Sequence, residues 1–419
     1  MFNRKNPVVL RGKIMKKFVM YGAGNIGRGF IGQLFSASGY SVGFVDINME
    51  VIGRLNEDKS YPVEVVTSEK TEEIIVENVY GIDGSDIDKV AEEIASADMM
   101  ATAIGVNVLK FIAKPISEGL KRRFLRNMPP FNIIICENLI GADEFLKGLI
   151  KNCIPEYSER IDNEIGFVEA SIGRMVPVMT EDKKRGNPLR VCVEPYNILP
   201  VDKAAFKGEI PNIKNLYPFT PFNLFIQRKL FMHNMSHAIT AYLGYLKNYT
   251  YIYESVSDFD IRYVAYKALT EMALAISYEN KTDVKQLLSH ADDLLYRFRN
   301  KALADTVERV GRDTIRKLGG NDRLVGALKL AEKHGIVCDY LCIGIAAGLL
   351  FSPESDERSI ELCSYAETHG VKAALDKYSD YRGEKAPLIE TLYAMLKKGK
   401  QINALVGYCE GINGGEIRV

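Results

Sequence analysis

The chain has 419 residues, 47% hydrophobic and 26% charged, which is enough apolar material for two domains with their own cores. Lysine plus arginine and aspartate plus glutamate both number 54, so no global field draws the chain to nucleic acid or to an acidic membrane surface. No stretch approaches the ~20 apolar residues of a bilayer-spanning helix, and the run Val8-Val9-Leu10 is too short for a secretion signal.

A cytoplasmic protein without nucleic-acid or membrane partners is therefore expected, as a monomer or small homo-oligomer. The seven cysteines, at 136, 153, 192, 338, 342, 363 and 409, lack paired Cys-x-x-Cys spacing and read as reduced thiols. Cys338 and Cys342 lie one helical turn apart, but two ligands fall short of a zinc site, and no metal is expected.

Residues 1–14 read as a disordered or extension arm ahead of the first strand. KFVMY at 17–21 is a short apolar run that ends at a glycine-rich turn and helix, and the next run, 41–45, ends at Asp46. This is one β-α-β unit. A strand pair follows at 61–66 and 73–76, then a helix at 90–95, a strand at 99–104, a helix at 108–120 and the apolar strand NIIIC at 132–136. Alternating strands and helices with continuous apolar strands predict a parallel, doubly wound sheet of the Rossmann type. PLRVCVEPYNILPV at 188–201 reads as a β segment bounded by prolines.

After the prolines at 218 and 221 the periodicity turns helical, as in Tyr263, Tyr266, Leu269, Met272 and Ile276. The expected organisation is thus an α/β domain over 15–205 and an all-α domain over 206–419.

Gly22-Ala23-Gly24-Asn25-Ile26-Gly27 is a GxGxxG turn placed between a strand and a helix. Gly22 permits the turn, Gly24 lets the backbone approach a pyrophosphate, and Gly27 lets helix and strand pack closely. Glycine turns also serve packing alone, but Asp46, at the end of the second strand, stands where a carboxylate accepts hydrogen bonds from the adenosine ribose. That carboxylate would repel the additional phosphate of NADP, and Ile47-Asn48 supplies no arginine to hold one, so NAD is the expected cofactor.

Lys229 to His237 reads KLFMHNMSH. On an ideal helix of 3.6 residues per turn, His237 lies about 80° and Asn234 about 140° round from Lys229, so all three can border one cleft. A surface lysine, a capping asparagine and a core histidine are the bland alternatives. The apolar neighbours favour burial, which lowers an amine's proton affinity and suits it to act as a general base. An amide such as that of Asn234 can hold a developing oxyanion. His233 reads as packing.

These residues, with GAGNIGRGFIG at 22–32, CEN at 136–138, HAITAYLG at 237–244 and VERVGRDTIRKL at 307–318, resemble the mannitol dehydrogenase family of polyol-specific long-chain dehydrogenases. The longer blocks are most similar to the branch acting on phosphorylated substrates, and the resemblance runs from about Met15 to near residue 395. It implies reversible, metal-independent, NAD-linked oxidation of D-mannitol 1-phosphate to D-fructose 6-phosphate. By the same resemblance Lys229 is the general base, Asn234 and His237 bind the reacting oxygen and the substrate, and Asn138 completes the oxyanion site. Asn138 also follows a strand end, where parallel sheets bind ligands. One position departs from the family pattern: Gly173, in Ile172-Gly173-Arg174-Met175-Val176-Pro177, replaces an aspartate that lies near the polyol in related enzymes.

Arg309, Arg312, Arg316, Lys317 and Arg323 form a cationic run. A solvated helix face is the bland reading. Arg323 matches a family arginine placed towards substrate, and Arg312 and Arg316, as i,i+4 neighbours, are further candidates to fork onto a phosphate. Gly173 leaves an unphosphorylated polyol or a hexonate as the rival substrate. A β-hydroxyacid dehydrogenase is disfavoured by lysine-to-asparagine spacing, and an NAD-responsive sensor has no need of the lysine.

Overall fold

The computed structural model describes residues 15–413. The expected arm at 1–14 lies outside them. In chain order the strands are β1 Lys16–Tyr21, β2 Tyr40–Asp46, β3 Ser60–Val66, β4 Thr71–Glu77, β5 Val79–Asp83, β6 Met99–Thr102, β7 Phe131–Ile135, β8 Ile165–Glu169, β9 Val191–Val193, β10 Leu199–Asp202 and β11 Leu216–Phe219.

Six of them form one sheet in the order β5-β2-β1-β6-β7-β8, every neighbouring pair parallel. Chain direction reverses its progress at β1, which is the topological switch point where such sheets bind ligands beyond the carboxyl ends of their strands. The apolar continuity of the strands follows from burial on both faces. In β1, Phe18 and Met20 join one core while Val19 and Tyr21 join the core on the opposite face.

The structure adds to and corrects the expected elements. The strand pair β3 and β4 is an antiparallel hairpin outside the main sheet, and β5, not anticipated, takes the sheet edge beside β2. The strand β8 was likewise not anticipated. The segment 188–201 is not one strand: β9 pairs with β3, whereas β10 pairs with β11. Pro195 lies between β9 and β10, and lacking an N–H it cannot continue a ladder. The pairing of β10 with β11 spans residues 205 and 206, and helices take over from Asn223.

The helical half is built around the helix Met235–Leu246, in which Ala238, Ile239, Ala241, Tyr242 and Leu243 are each at most 1% exposed. It packs against Phe259–Asn280 and Asp339–Gly348, within one continuous apolar core. A Cβ on Gly344 would stand 2.4 Å from the Ile239 side chain, so a bare backbone sets this close crossing. Side-chain caps at Asp258, Asp283 and Thr306 start successive helices, each contributing about 1 kcal/mol. The helix Ile402–Asn413 closes the domain, with Leu405 and Cys409 buried.

The halves are joined by buried polar contacts. Arg297, on the helix Val284–Phe298, places Nη2 2.5 Å from Glu194 Oε1, and both side chains are under 10% exposed. Asn300 Nδ2 donates to the Val66 carbonyl at 2.9 Å. Removing one partner of such a buried pair strands the other charge and costs about 3–5 kcal/mol. Among the described residues no helix is long and apolar enough to cross a membrane.

Candidate active site

A cavity of about 770 Å³ opens between the sheet's carboxyl edge and the helical half. Ile26 from the glycine turn, Asn138 after β7, Glu169 at the end of β8 and Lys229, Asn234 and His237 from the helical half all line it. The sequence-predicted catalytic residues are therefore brought to one space.

The helix that carries Lys229 is not a regular α-helix. Asn223–Gln227 and Met235–Leu246 are α-helical, but Arg228–Asn234 between them is wound as a π-helix, and the Met235 amide reaches back to the Leu230 carbonyl. In i→i+5 geometry residues five apart fall on the same side. Lys229 and Asn234 are five apart, and His237, three beyond Asn234, is its surface neighbour on the α-helical turn that follows. The wide angle expected from an ideal α-helix is thus closed by the π-turn.

The Lys229 amine is enclosed by protein but borders the cavity. Burial, reinforced by the cations of Arg297 and Arg323 and opposed by Glu194, lowers it to about 7. His233, expected to be packing, is 3% exposed yet borders the cavity, and burial with the charge of Lys229 holds it well below the ordinary histidine range. His237 is also lowered, burial outweighing its contact with Asp305. Its Nε2 lies 3.3 Å from Asp305 Oδ2.

On the opposite wall, Asn138 is exposed to the cavity. Its neighbour Glu137 turns inward and accepts hydrogen bonds from the amides of Ile104 (3.0 Å) and Gly105 (2.8 Å), which ties the end of β7 to the loop after β6. Glu169 accepts one from the Gly141 amide at 3.2 Å. Burial, then the charge of Asp143, raises its carboxyl to about 7. Glu169 was not anticipated, although it closes an apolar strand by the same signal that drew attention to Asn138.

The glycine turn fits a dinucleotide. Gly22 has φ +107°, and a Cβ on Gly27 would stand 2.0 Å from the Gly22 carbonyl oxygen. Gly24, by contrast, has nothing beyond its own chain neighbours within 4 Å of the Cβ it lacks, so its backbone faces open space. Asp46 braces the turn: Oδ2 accepts the Ala23 amide at 2.7 Å and Oδ1 the Asn48 amide at 3.0 Å. Asn25 and Ile26 are half-buried at the start of the helix.

The cationic run divides. Arg323 is buried and borders the cavity, its Nε 2.8 Å from Asp322 Oδ1. Arg316 also borders it, paired with Asp313 at 2.9 Å. Arg312 is not among the lining residues. The helix Val307–Gly311 ends there, and Asp313, at φ 63°, separates it from Thr314–Lys317, so Arg312 and Arg316 do not share one helix face as expected. Arg309 takes the place on the cavity wall instead, held by Asp305. Gly173 is absent from the wall although Ile172 and Arg174 line it; a Cβ there would meet the Tyr196 ring at 3.1 Å.

Residues 16–215 match the family model described as the mannitol dehydrogenase Rossmann domain, and residues 222–405 match the mannitol dehydrogenase C-terminal domain. The chain is 36% identical over 379 residues to the mannitol-1-phosphate 5-dehydrogenase of Caldanaerobacter subterraneus subsp. tengcongensis, covering 90% of this chain and 97% of that one. It is 38% identical over 364 residues to the enzyme of the same name from Geobacillus stearothermophilus, covering 86% and 94%. Among solved structures, a substrate-free D-sorbitol dehydrogenase superposes with TM-score 0.77 at 16% identity, covering 93% of this chain and 94% of that one. The Pseudomonas fluorescens mannitol 2-dehydrogenase, in ternary complex with NAD and D-mannitol, superposes with TM-score 0.74 at 16% identity, covering 96% and 95%. These two share the fold.

Proposed function

The chain belongs to the mannitol dehydrogenase family, and from that membership and the geometry of the cavity we propose that it catalyses the reversible, NAD-linked oxidation of D-mannitol 1-phosphate to D-fructose 6-phosphate. The observation that carries the reading is the juxtaposition, on one cavity, of a lysine lowered to about 7 with two asparagine amides and a cluster of arginines.

Oxidation requires the substrate hydroxyl to lose its proton as hydride leaves carbon. Lys229, neutral over part of the physiological range, takes that proton at Nζ. The side-chain amides of Asn138 and Asn234 donate to the oxygen as its charge develops. His237 contacts a substrate hydroxyl, and Arg323 with Arg316 and Arg309 holds the phosphate. The glycine turn and Asp46 hold the dinucleotide, with Gly22, Ala23, Gly24, Asn25, Ile26 and Gly27 forming its cradle. NAD, when bound, supplies the hydride acceptor. In the reverse direction the protonated Lys229 returns the proton to the carbonyl oxygen. No metal has a part in this scheme.

Initial rates with D-mannitol 1-phosphate, D-mannitol and an aldonate, each with NAD, test the assignment. A kcat/KM for the phosphorylated polyol at least about 100-fold above the others is expected, from charge-assisted bonds worth ~3 kcal/mol or more. A preference for D-mannitol or the aldonate would transfer the activity to the unphosphorylated branch.

A further inference from the structure

His237 is constrained on more than one side. Its ring is stacked on Phe298, centroids 4.7 Å apart and planes 16° from parallel, while Nε2 faces Asp305 Oδ2 at 3.3 Å. That distance lies just beyond the usual range for an N–H···O bond, as catalytic contacts often do before ligand binds. Asp305 in turn is fixed. Its side chain is 10% exposed, its Oδ1 accepts from Arg309 Nε at 2.6 Å, and its carbonyl accepts the Ile252 amide at 2.9 Å. The next residue, Thr306, bridges to Tyr251 and caps the helix Val307–Gly311.

Burial works against the charge of Asp305, but the bond to His237, with the charge of Arg309 and its bond, outweighs it and holds the carboxyl below its usual range. An ionised carboxylate can only accept, so the imidazole nitrogen facing it must carry the hydrogen. Stacking on Phe298 restrains the ring against the tilting that would carry Nε2 away from Asp305.

We propose that Asp305 is a positioning residue that fixes His237 as the Nε2-protonated tautomer, leaving Nδ1 to accept a hydrogen bond from a substrate hydroxyl. This rests on the reading of the cavity as a polyol site. It divides the work there: the asparagine amides donate to the reacting oxygen, and His237 recognises a hydroxyl that keeps its proton. A carbonyl or a deoxy carbon at that recognised position would leave Nδ1 unpaired.

The test is ¹⁵N NMR of the histidine-labelled full chain, which contains five histidines, with the His237 resonances assigned through His237→Asn. The expected pattern is Nε2–H in the unliganded protein. In Asp305→Asn, whose amide can donate as well as accept, that preference is lost, and kcat/KM for the polyol phosphate falls by about 10- to 100-fold, as when an imidazole loses its orienting partner. KM for NAD and the thermal midpoint stay close to wild type. Nδ1–H in the wild type, or an unchanged tautomer in Asp305→Asn, overturns the proposal. Wild-type turnover in His237→Asn would instead remove His237 from the polyol site, an outcome distinct from the tautomer result.

Discussion

Lys229 and Asn234 stand on the same side of their helix because the turn between them is π-wound, with the Met235 amide bonded back to the Leu230 carbonyl. The additional residue in that turn places the Lys229 amine beside the Asn234 amide, the two groups to which the proposed reaction assigns the proton and the developing charge. π-Turns inside α-helices concentrate at functional sites, where they re-aim side chains.

Replacing Lys229 by alanine abolishes turnover while leaving NADH binding, followed by fluorescence titration, nearly unchanged. The pH dependence follows from the lowering of the amine to about 7. Oxidation requires the neutral amine, so kcat/KM for the polyol phosphate rises with pH through about 7 and then levels. Reduction requires the ammonium, so its limb falls over the same range. Burial raises the Glu169 carboxyl to about 7 as well, and Glu169→Gln separates the two. A limb that survives this substitution belongs to Lys229; one that disappears belongs to Glu169.

Arg323 carries two effects. Arg323→Ala removes a cation from the cavity wall, and kcat/KM for D-mannitol 1-phosphate is expected to fall about 10- to 100-fold, the worth of a charge-assisted bond of ~1.5–3 kcal/mol. Turnover of D-mannitol itself falls far less. Because the Arg323 charge helps to lower Lys229, its loss also moves the oxidation limb to higher pH. A limb unmoved or displaced towards acid would break the electrostatic link between the two residues.

For the cofactor, Asp46→Ala removes the brace on the Ala23 amide together with the proposed ribose acceptor. KM for NAD is expected to rise about 10- to 100-fold, again from charge-assisted bonds of ~1.5–3 kcal/mol, with a smaller change in kcat. The ratio of NADP to NAD utilisation increases as the repelling carboxylate is lost. Steady-state kinetics with both dinucleotides measures this.

Gly173 faces Tyr196, over whose ring the Arg297 guanidinium lies at 4.4 Å, and its carbonyl accepts from Arg297 Nη2 at 2.5 Å. Gly173→Asp is therefore expected to overpack this contact and lower stability by about 1–3 kcal/mol. It confers no D-mannitol oxidation, since the position is off the cavity wall. Denaturant unfolding and a D-mannitol assay check both parts, and a gain of D-mannitol turnover would return the position to the substrate.

Much of this was legible locally. The glycine turn, Asp46 and the apolar strands declare a dinucleotide-binding sheet because each depends on nearest neighbours and a fixed period, and the KLFMHNMSH block exposed its lysine, asparagine and histidine for the same reason. Other features needed the tertiary structure. Asp305 lies far along the chain from His237, and Glu194 far from Arg297, so no window of sequence joins them. The helical affinity of Arg312 and Arg316 failed because Asp313 breaks the helix between them, and Arg309 replaced Arg312 through its pairing with Asp305. Nor did the spacing reveal the π-turn: hydrophobic periodicity reports an average helix, whereas a single widened turn is decided by the packing around it. The sequence by itself determined which chemical groups are present and the fold class that carries them. Tertiary structure decided which groups meet and how strongly each holds its proton, because burial and the charges of distant segments exist only once the chain has folded.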